Sequence, residues 1–292
     1  MASTDTTIYD LVAEITSHGV FESMGKTALN GNNGHIATEG ERDEQQEEEE
    51  LYAAEGIICA GKSHFLKSIG AAADMIETPD PLLLKAFYKD KPRYALVFQV
   101  DMLRQRQNIN RASMAALQSG KKKRIWNDRS TIGDVGFMVR QWREGNIDDA
   151  GKDIYMSILR SLAPYRYSAI VFFDVPADVA HYRVLHVRKN PAEAGITLGY
   201  LQALRATYYM LLRALAMRGK SSIVYKLNEP FVGEATMNRL IEHRPSCKET
   251  QQIWEHSPVL SDEDATPEAV ADAFRLVADA YDKFYAAKLA AY

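Results

Sequence analysis

The feature that most constrains this chain is a glycine-containing turn between a short apolar run and a segment with helical periodicity. Residues 56–63 fit the pattern G-x-x-x-x-G-K-[ST] at every fixed position. Glycines let the backbone approach phosphate oxygens, and successive N–H groups at a helix N-terminus form an anion site. Residues 51–55 fit a strand and residues 63–73 fit a helix. The pattern therefore predicts a strand, a phosphate-binding loop and a helix in direct succession.

An earlier segment is a rival for the first strand. Residues 35–40 also have a strand-then-turn pattern, and the acidic run from Glu39 to Glu50 would then be an insertion inside the loop. We favour residues 51–55 because they join the loop without a gap.

After the phosphate loop, the alternation of candidate strands and helices predicts an α/β fold. Candidate strands at 125–126, 168–175 and 222–227 alternate with helical patterns at 81–88, 93–117, 134–142, 148–162, 176–187 and 198–217. Within the strand at 168–175, residues 169–173 form a continuous apolar run, which is typical of a strand covered on both faces. Strands that alternate with helices indicate a parallel sheet with helices on both sides. We expect about five strands.

The chain divides by composition into three parts. Residues 1–50 end in the acidic, Gln-rich run and are expected to be a flexible N-terminal extension. Residues 51–245 form the α/β domain. Residues 246–292 are expected to be a polar connector followed by a helix at 267–291.

Bulk properties exclude several classes of protein. The net charge of −4 gives no whole-protein attraction to nucleic acid or to an anionic membrane. No apolar stretch reaches the roughly 18 to 20 residues of a membrane span, and the N-terminus lacks a signal or transit pattern. Cys59 and Cys247 are far apart and lack metal-ligand spacing, which favours the cytoplasm or another reducing compartment.

Five segments, in order, resemble the motifs of the deoxynucleoside kinase family. Residues 54–66 are similar to I-E-G-N-I-G-A-G-K-S-T-F-L, and residues 87–94 with Phe98-Gln99 are similar to F-Y-x-D-x-x-R-[WY] followed by Phe-Gln. Residues 128–134 resemble E-R-S-x-x-x-D, after which comes an apolar strand ending in Asp174. Residues 183–201 resemble the family's lid, R-x-x-x-R…E-x-G-I-x-L-x-Y-L. The resemblance covers roughly residues 51–230.

This resemblance implies a P-loop kinase with a helical, arginine-containing lid. It implies ATP and Mg²⁺ as cofactors, a deoxyribonucleoside as substrate, and a homodimer formed through helices beside the substrate site. The implied catalytic residues are Lys62, Glu77, Arg129 and Arg188. The implied nucleotide-binding residues are Gly56, Ile58, Cys59, Ala60, Gly61, Lys62, Ser63, His64, Arg183 and Arg188. The implied substrate-binding residues are Glu77, Tyr88, Gln99, Arg106, Arg129, Asp134 and Glu193, and the implied metal ligands are Ser63 and Asp128.

The chemistry of these side chains agrees with the implied roles. Phosphoryl transfer needs positioning, charge neutralisation and a group that accepts the hydroxyl proton, for which Glu77 is the candidate. The carboxamide of Gln99 offers a donor and an acceptor side by side for a base edge, and Asp134 can accept from an exocyclic amine. Tyr88 and Glu193 resemble the pair that holds the sugar 3′-hydroxyl. Either Phe137 or Met138 would cover the base.

Some positions depart from the family pattern. Cys59 stands where the family has Gly or Ala, and a positive φ there would be strained. Asp128 replaces a Glu and is one methylene shorter. The two lid arginines are one residue further apart than usual, which leaves open whether Arg188 or Lys189 reaches the phosphates. Two alternatives therefore remain: a catalytically inert kinase-fold subunit of a larger assembly, and a nucleoside monophosphate kinase.

Overall fold

The structure is a computed structural model. It describes residues 50–71, 75–120, 122–162, 167–217, 222–226, 238–239, 241–243 and 245–255. All of these residues lie in the unit Glu49–Tyr292. The predicted extension up to residue 49, the rival first strand at 35–40 and the predicted helix at 267–291 lie outside the described residues.

A parallel sheet forms the centre of the fold. Its four described strands are β1 (Glu50–Glu55), β2 (Arg124–Asp128), β3 (Ala169–Asp174) and β4 (Ser222–Lys226), in the order β2-β1-β3-β4. Strand β3 is buried along its whole length, as its apolar run predicts. The first strand runs directly into the phosphate loop, which confirms the favoured placement. A fifth strand is not present among the described residues.

Helices cover the sheet on both sides, as alternating strands and helices require. The described α-helices are α1 (Lys62–Ser68), α2 (Pro81–Lys89), α3 (Lys91–Gln118), α4 (Thr131–Arg143), α5 (Asp149–Ser161), α6 (Ala177–Tyr182), α7 (Leu198–Met217) and α8 (Cys247–Glu255). A π-helical turn, Arg183–Arg188, continues α6, and a 3₁₀ turn, Pro191–Glu193, precedes α7. No helix in the described part of the chain is long and apolar enough to cross a membrane.

Local sequence explains where the helices begin. Asp80 caps α2 by accepting hydrogen bonds from the backbone N–H groups of Leu82 and Leu83, and Pro81 occupies the first helical position. Ser130 caps α4 in the same way through the N–H of Ile132. The capped start of α4 matters for the site because it fixes the residues that follow β2.

The structure corrects two of the sequence predictions about helices. Helix α1 ends at Ser68 rather than at residue 73, because Gly70 adopts a left-handed φ of 69°. The segment after residue 246, predicted to be a polar connector, contains α8. Trp254 on α8 is fully buried, and its ring packs edge-on against Tyr209 of α7 at a centroid distance of 5.4 Å. A single buried aromatic side chain thus ties an otherwise polar helix to the domain.

Candidate active site

The site lies where the carboxyl ends of the parallel strands meet. Strand β1 ends at Glu55 and is followed by the phosphate loop, and β2 ends beside it, with Ala54 paired to Asp128. A cavity of about 740 Å³ opens at this edge. It is lined by every predicted site residue except Gly56 and Arg106. Ligands of open α/β sheets bind at such an edge, and the fold brings the predicted residues together there.

The phosphate loop is held by its own lysine. Lys62 is buried, and its Nζ donates hydrogen bonds to the carbonyl oxygens of Gly56 and Ile57 at 3.2 and 3.1 Å. Burial, reinforced by the positive charge of Arg129, lowers the pKa of Lys62 to about 8. Gly56 has a φ of 151°, and a Cβ there would lie 2.9 Å from the carbonyl oxygen of Phe173. Only glycine fits this approach of loop to strand.

Cys59 adopts the positive φ that is strained for a residue other than glycine. Its φ is 60°, in the left-handed region that favours glycine. Burial raises the pKa of the Cys59 thiol above its ordinary value, and the nearby charge of Arg188 opposes the shift. The carbonyl oxygen of Cys59 accepts a hydrogen bond from Nη1 of Arg183 at 3.3 Å. This strained residue of the phosphate loop therefore lies close to both Arg183 and Arg188.

The two predicted metal ligands are adjacent. The hydroxyl of Ser63 donates a hydrogen bond to Oδ2 of Asp128 at 3.2 Å. Oδ1 of Asp128 is buried and has no hydrogen-bond partner among the described residues. A hydroxyl beside an unpaired carboxylate oxygen, next to a phosphate loop, is a donor set that suits Mg²⁺ shared with phosphate oxygens. These residues therefore fit the metal that the family resemblance implies.

Glu77 lies between two arginines at the cavity wall. Its Oε2 is 3.2 Å from Nη2 of Arg106 and 3.2 Å from Nε of Arg129. Burial by itself raises the pKa of Glu77, but the charges of Arg106, Arg129 and Lys62 outweigh it and hold this pKa below its ordinary value. The carboxylate is thus ionised near neutral pH and able to accept a proton. Residues 77–80 belong to no helix or strand.

Arg106 organises the end of the cavity that contains Gln99. Arg106 is fully buried on α3 and pairs through Nε and Nη2 with both oxygens of Asp134, at 3.0 and 3.3 Å. Its Nη1 donates to the backbone carbonyl of Asp128. Burial raises the pKa of Asp134 to about 7, against the opposing charge of Arg106. Asp134 thus faces the cavity as half of an ion pair rather than as an isolated carboxylate.

The structure distinguishes the two candidates for the cover over the base. Phe137 lines the cavity, whereas Met138 is fully buried in the hydrophobic core. Gln99, which is 2% exposed, lines the same cavity. The cavity wall therefore offers both an aromatic ring and a carboxamide, the two groups that a planar base would use.

The predicted sugar-binding pair is also present in the cavity wall. Tyr88 on α2 and Glu193 in the 3₁₀ turn both line it. Burial raises the pKa of Glu193, and the adjacent Arg188 opposes the shift. Nε of Arg188 lies 2.7 Å from Oε2 of Glu193. A lid cation and the carboxylate predicted to bind sugar are therefore in direct contact.

The segment that resembles the lid contains a π turn between its two arginines. The N–H of Lys189 donates to the carbonyl oxygen of Val184 at 3.1 Å, which is an i→i+5 hydrogen bond. Arg183 and Arg188, five residues apart, both line the cavity. Lys189 adopts a left-handed φ of 50° and is not among the lining residues. The wider turn accommodates the extra residue and keeps the two arginines on the side that faces the loop.

Two residues near the site were missed by the sequence argument. Glu55 is fully buried behind the loop, and Tyr208 on α7 contacts both Glu55 and Arg129. Glu55 carries a signal, since it is the residue immediately before the first glycine of the loop. Tyr208 carries none, because its partners are far away in sequence.

Comparison with known proteins agrees with this geometry. The family model for deoxynucleoside kinases matches residues 52–244. A deoxyadenosine kinase of Dictyostelium discoideum is 25% identical over 170 residues, covering 56% of this chain and 67% of that protein. A deoxyguanosine kinase of the same organism is 30% identical over 182 residues, covering 60% and 62%. The chain thus spans about two thirds of the length of the curated relatives it matches.

Solved structures show the same fold. A deoxyadenosine kinase from M. mycoides, with products dCMP and a flexible dCDP bound, is similar with a TM-score of 0.51 and 18% identity; the match covers 66% of this chain and 96% of that one. The same enzyme with bound dATP gives a TM-score of 0.50, also at 18% identity, over 66% and 97% of the two chains. With a family model that matches well over half of its residues, this chain belongs to the deoxynucleoside kinase family.

Proposed function

We propose that this protein transfers the γ-phosphate of ATP to the 5′-hydroxyl of a deoxyribonucleoside. The observation that carries the proposal is the convergence of Lys62, the Ser63–Asp128 pair and the Glu77–Arg129 pair on one cavity. Phosphoryl transfer needs a cradle for the phosphates, cations for the charge and a nearby proton acceptor, and these residues supply all three. Members of the family phosphorylate deoxynucleosides, so the proposal adds ATP, Mg²⁺ and the role of each residue.

In the proposed reaction Glu77 accepts the proton of the 5′-hydroxyl. The hydroxyl oxygen then forms a bond to the γ-phosphorus as the bond from that phosphorus to the β,γ-bridging oxygen breaks, and ADP leaves. Ser63 and Asp128 would hold Mg²⁺, which supplies charge neutralisation on the β- and γ-phosphates. Arg129 touches Glu77 through Nε and is placed to bridge the base and the transferring group. Arg183 and Arg188 close over the developing charge.

The substrate end of the cavity supports a nucleoside as acceptor. Gln99 and Asp134, the latter held in place by Arg106, present donors and acceptors to a base edge, and Phe137 offers a flat face. Tyr88 and Glu193 are placed for a sugar hydroxyl. An acceptor phosphate would need additional cations here. Arg104, the nearest further candidate on α3, instead pairs with Asp101 at 2.7 Å and is largely exposed.

We also propose that the protein is a homodimer. Val97 on α3 and Ile154 on α5 are apolar yet 56% and 52% exposed, and α3 also carries Gln99. Exposed apolar side chains on helices beside the substrate site suit a self-association surface. Light scattering on the wild type and on Val97→Glu tests this, with a dimer expected for the former and a monomer for the latter. A monomeric wild type would contradict the proposal.

A transfer assay tests the function. Purified protein is incubated with γ-labelled ATP, Mg²⁺ and separate panels of deoxynucleosides, ribonucleosides and nucleoside monophosphates. Label is expected on a deoxynucleoside, and Glu77→Gln is expected to lower kcat by about 10²- to 10⁴-fold, because general base catalysis contributes about that much. Label on a monophosphate would instead identify a monophosphate kinase.

An inert kinase-fold subunit is the second candidate, and the departure from the family pattern at Cys59 favours it, because a residue with a Cβ holds a φ of 60° where the family has Gly or Ala. The competing outcome is therefore specific. Absence of transfer to any acceptor, together with no heat of ATP binding by titration calorimetry, would identify a kinase-shaped scaffold.

A further inference from the structure

A buried carboxylate lies behind the phosphate loop and outside the cavity. Glu55 is 0% exposed, and its Oε1 accepts hydrogen bonds from the N–H and the hydroxyl of Ser130, at 2.6 and 2.7 Å, and from the N–H of Gly133 at 3.1 Å. Its Oε2 accepts a hydrogen bond from the hydroxyl of Tyr208 at 3.0 Å. Every polar neighbour is a donor, so Glu55 is a fixed acceptor that joins the end of β1 to the start of α4 and to α7.

The hydroxyl of Tyr208 connects this carboxylate to the site. It donates to Glu55 and accepts a hydrogen bond from Nη1 of Arg129. The direction is forced, because a guanidinium has donors only. Nη1 of Arg129 also donates to the carbonyl oxygen of Gly56 at 2.6 Å, while Nε reaches Glu77. Glu55 also lies near Arg129 directly, with 3.7 Å between Oε2 and Nη1, and the hydrogen bonds run from Glu55 through Tyr208 and Arg129 to the proposed base.

Arg129 needs such support because its backbone is unfavourable. Its φ is 70°, in the left-handed region, which costs free energy for any residue with a Cβ and persists only where surrounding contacts hold it. The groups that hold Arg129, the carboxylate of Glu55 and the hydroxyl of Tyr208, both lie close to the backbone of Gly133. A Cβ on Gly133 would lie 2.7 and 2.8 Å from the two oxygens of Glu55 and 3.0 Å from the hydroxyl of Tyr208. The glycine leaves room for the carboxylate and the hydroxyl to meet.

We infer that Tyr208 and Glu55 are positioning residues for catalysis, which fix the guanidinium of Arg129 between Glu77 and the transferring phosphate. This inference rests on the proposed function of Arg129. Neither residue lines the cavity, so neither binds substrate. Both act through Arg129, and their loss lowers kcat rather than substrate affinity, since a displacement of about 1 Å at a reacting group costs on the order of 10²-fold in rate.

The chain offers a matched control in the next residue. Tyr209 also lies on α7 and is also buried, and its hydroxyl donates to Asp174 rather than to Glu55. Both rings contact Phe172, at centroid distances of 5.5 Å for Tyr208 and 5.8 Å for Tyr209. Tyr208→Phe and Tyr209→Phe therefore each remove one buried hydroxyl and keep the ring, but only the first breaks the path to Arg129.

The experiment compares these two variants with Glu55→Gln and the wild type. We expect Tyr208→Phe to lower kcat by about 10- to 100-fold with the nucleoside KM within twofold, and Tyr209→Phe to leave both constants within twofold. Glu55→Gln is expected to follow Tyr208→Phe, because the carboxamide oxygen stays with the donors of Ser130 and Gly133, and the NH2 group that then faces Tyr208 cannot accept its hydrogen bond. Similar melting temperatures for the two Phe variants would separate positioning from a loss of stability. Equal kcat for both Phe variants would overturn the inference.

A readout without activity separates this inference from the proposed function. The Arg129 side-chain ¹⁵Nε–Hε resonance, assigned with Arg129→Lys, reports how firmly the guanidinium is held. We expect faster hydrogen exchange at Nε in Tyr208→Phe and no change in Tyr209→Phe. Should the wild type transfer no phosphate, the proposed function fails while this measurement still decides the positioning role. Unchanged exchange in Tyr208→Phe would refute it.

Discussion

The π turn in the lid leads to a prediction about helical register. Residues five apart in an α-helix lie about 140° apart around the axis, whereas in a π turn they lie roughly 50° apart because the turn is wider. Arg183 and Arg188 are five apart and both line the cavity. Removing one residue between them gives a four-residue spacing, which an ordinary α-helix places about 40° apart. Deleting Leu185 should therefore convert the turn to α-helix and keep both arginines on one face.

The choice of Leu185 limits side effects, because it is 40% exposed and does not line the cavity. We expect the deletion to lower kcat by less than about 10-fold. Inserting one Ala after Leu185 creates a six-residue spacing, about 120° apart in an α-helix, and should lower kcat by about 10²- to 10³-fold, as the loss of one transition-state donor does. Arg188→Ala should fall in the same range, and Lys189→Ala should stay within twofold.

The assay is steady-state transfer from ATP to the preferred nucleoside, with circular dichroism to confirm that each variant is folded. The reasoning is refuted if the deletion is as damaging as Arg188→Ala, since the wider turn would then serve something other than register. It is also refuted if Lys189→Ala lowers kcat as much as Arg188→Ala does. Lys189 would in that case be the second cation of the lid.

Further predictions concern the phosphate loop and the metal. The pKa of Lys62, about 8 in the free protein, should rise when the negative charge of the triphosphate binds beside it. Above pH 8, ATP binding should therefore take up a proton, and the affinity should fall by up to tenfold per pH unit. Calorimetry in buffers of different ionisation enthalpy measures the proton uptake, and an affinity that does not change between pH 7 and 9 would contradict the prediction. Cys59→Gly removes about 1–2 kcal/mol of left-handed backbone strain but costs about 0.5–1 kcal/mol because glycine gains more entropy in the unfolded chain. The melting temperature should therefore rise by a few degrees at most. A lower melting temperature would show that the contacts of the thiol stabilise the fold by more than the strain destabilises it. Asp128→Asn should raise the Mg²⁺ concentration for half-maximal kcat at least about tenfold, because it weakens the carboxylate that the metal needs; an unchanged Mg²⁺ dependence would remove Asp128 from the metal site.

Much of the site follows from the sequence, because its residues lie on local motifs. A strand, a glycine turn and a lysine before a helix specify a phosphate loop within eight residues. Parallel strands bring their carboxyl ends to one edge, so residues that follow β1 and β2 meet there whatever the details of the packing. The order of motifs thus predicted a common location for Lys62, Asp128 and Arg129, and the structure has all three in one cavity wall.

Other features depend on contacts that no local pattern records. Glu55 and Tyr208 are 153 residues apart, and only the packing of α7 across the sheet brings the hydroxyl to the carboxylate. Helix α8 has a polar sequence, and the burial of Trp254 together with Thr250 shows why it docks. The sequence determined which chemical groups meet at the strand ends, because strand and loop geometry are local. The tertiary structure decided their orientation, because a guanidinium or a lid arginine is aimed by buried partners from distant elements and by the register of the helix that carries it.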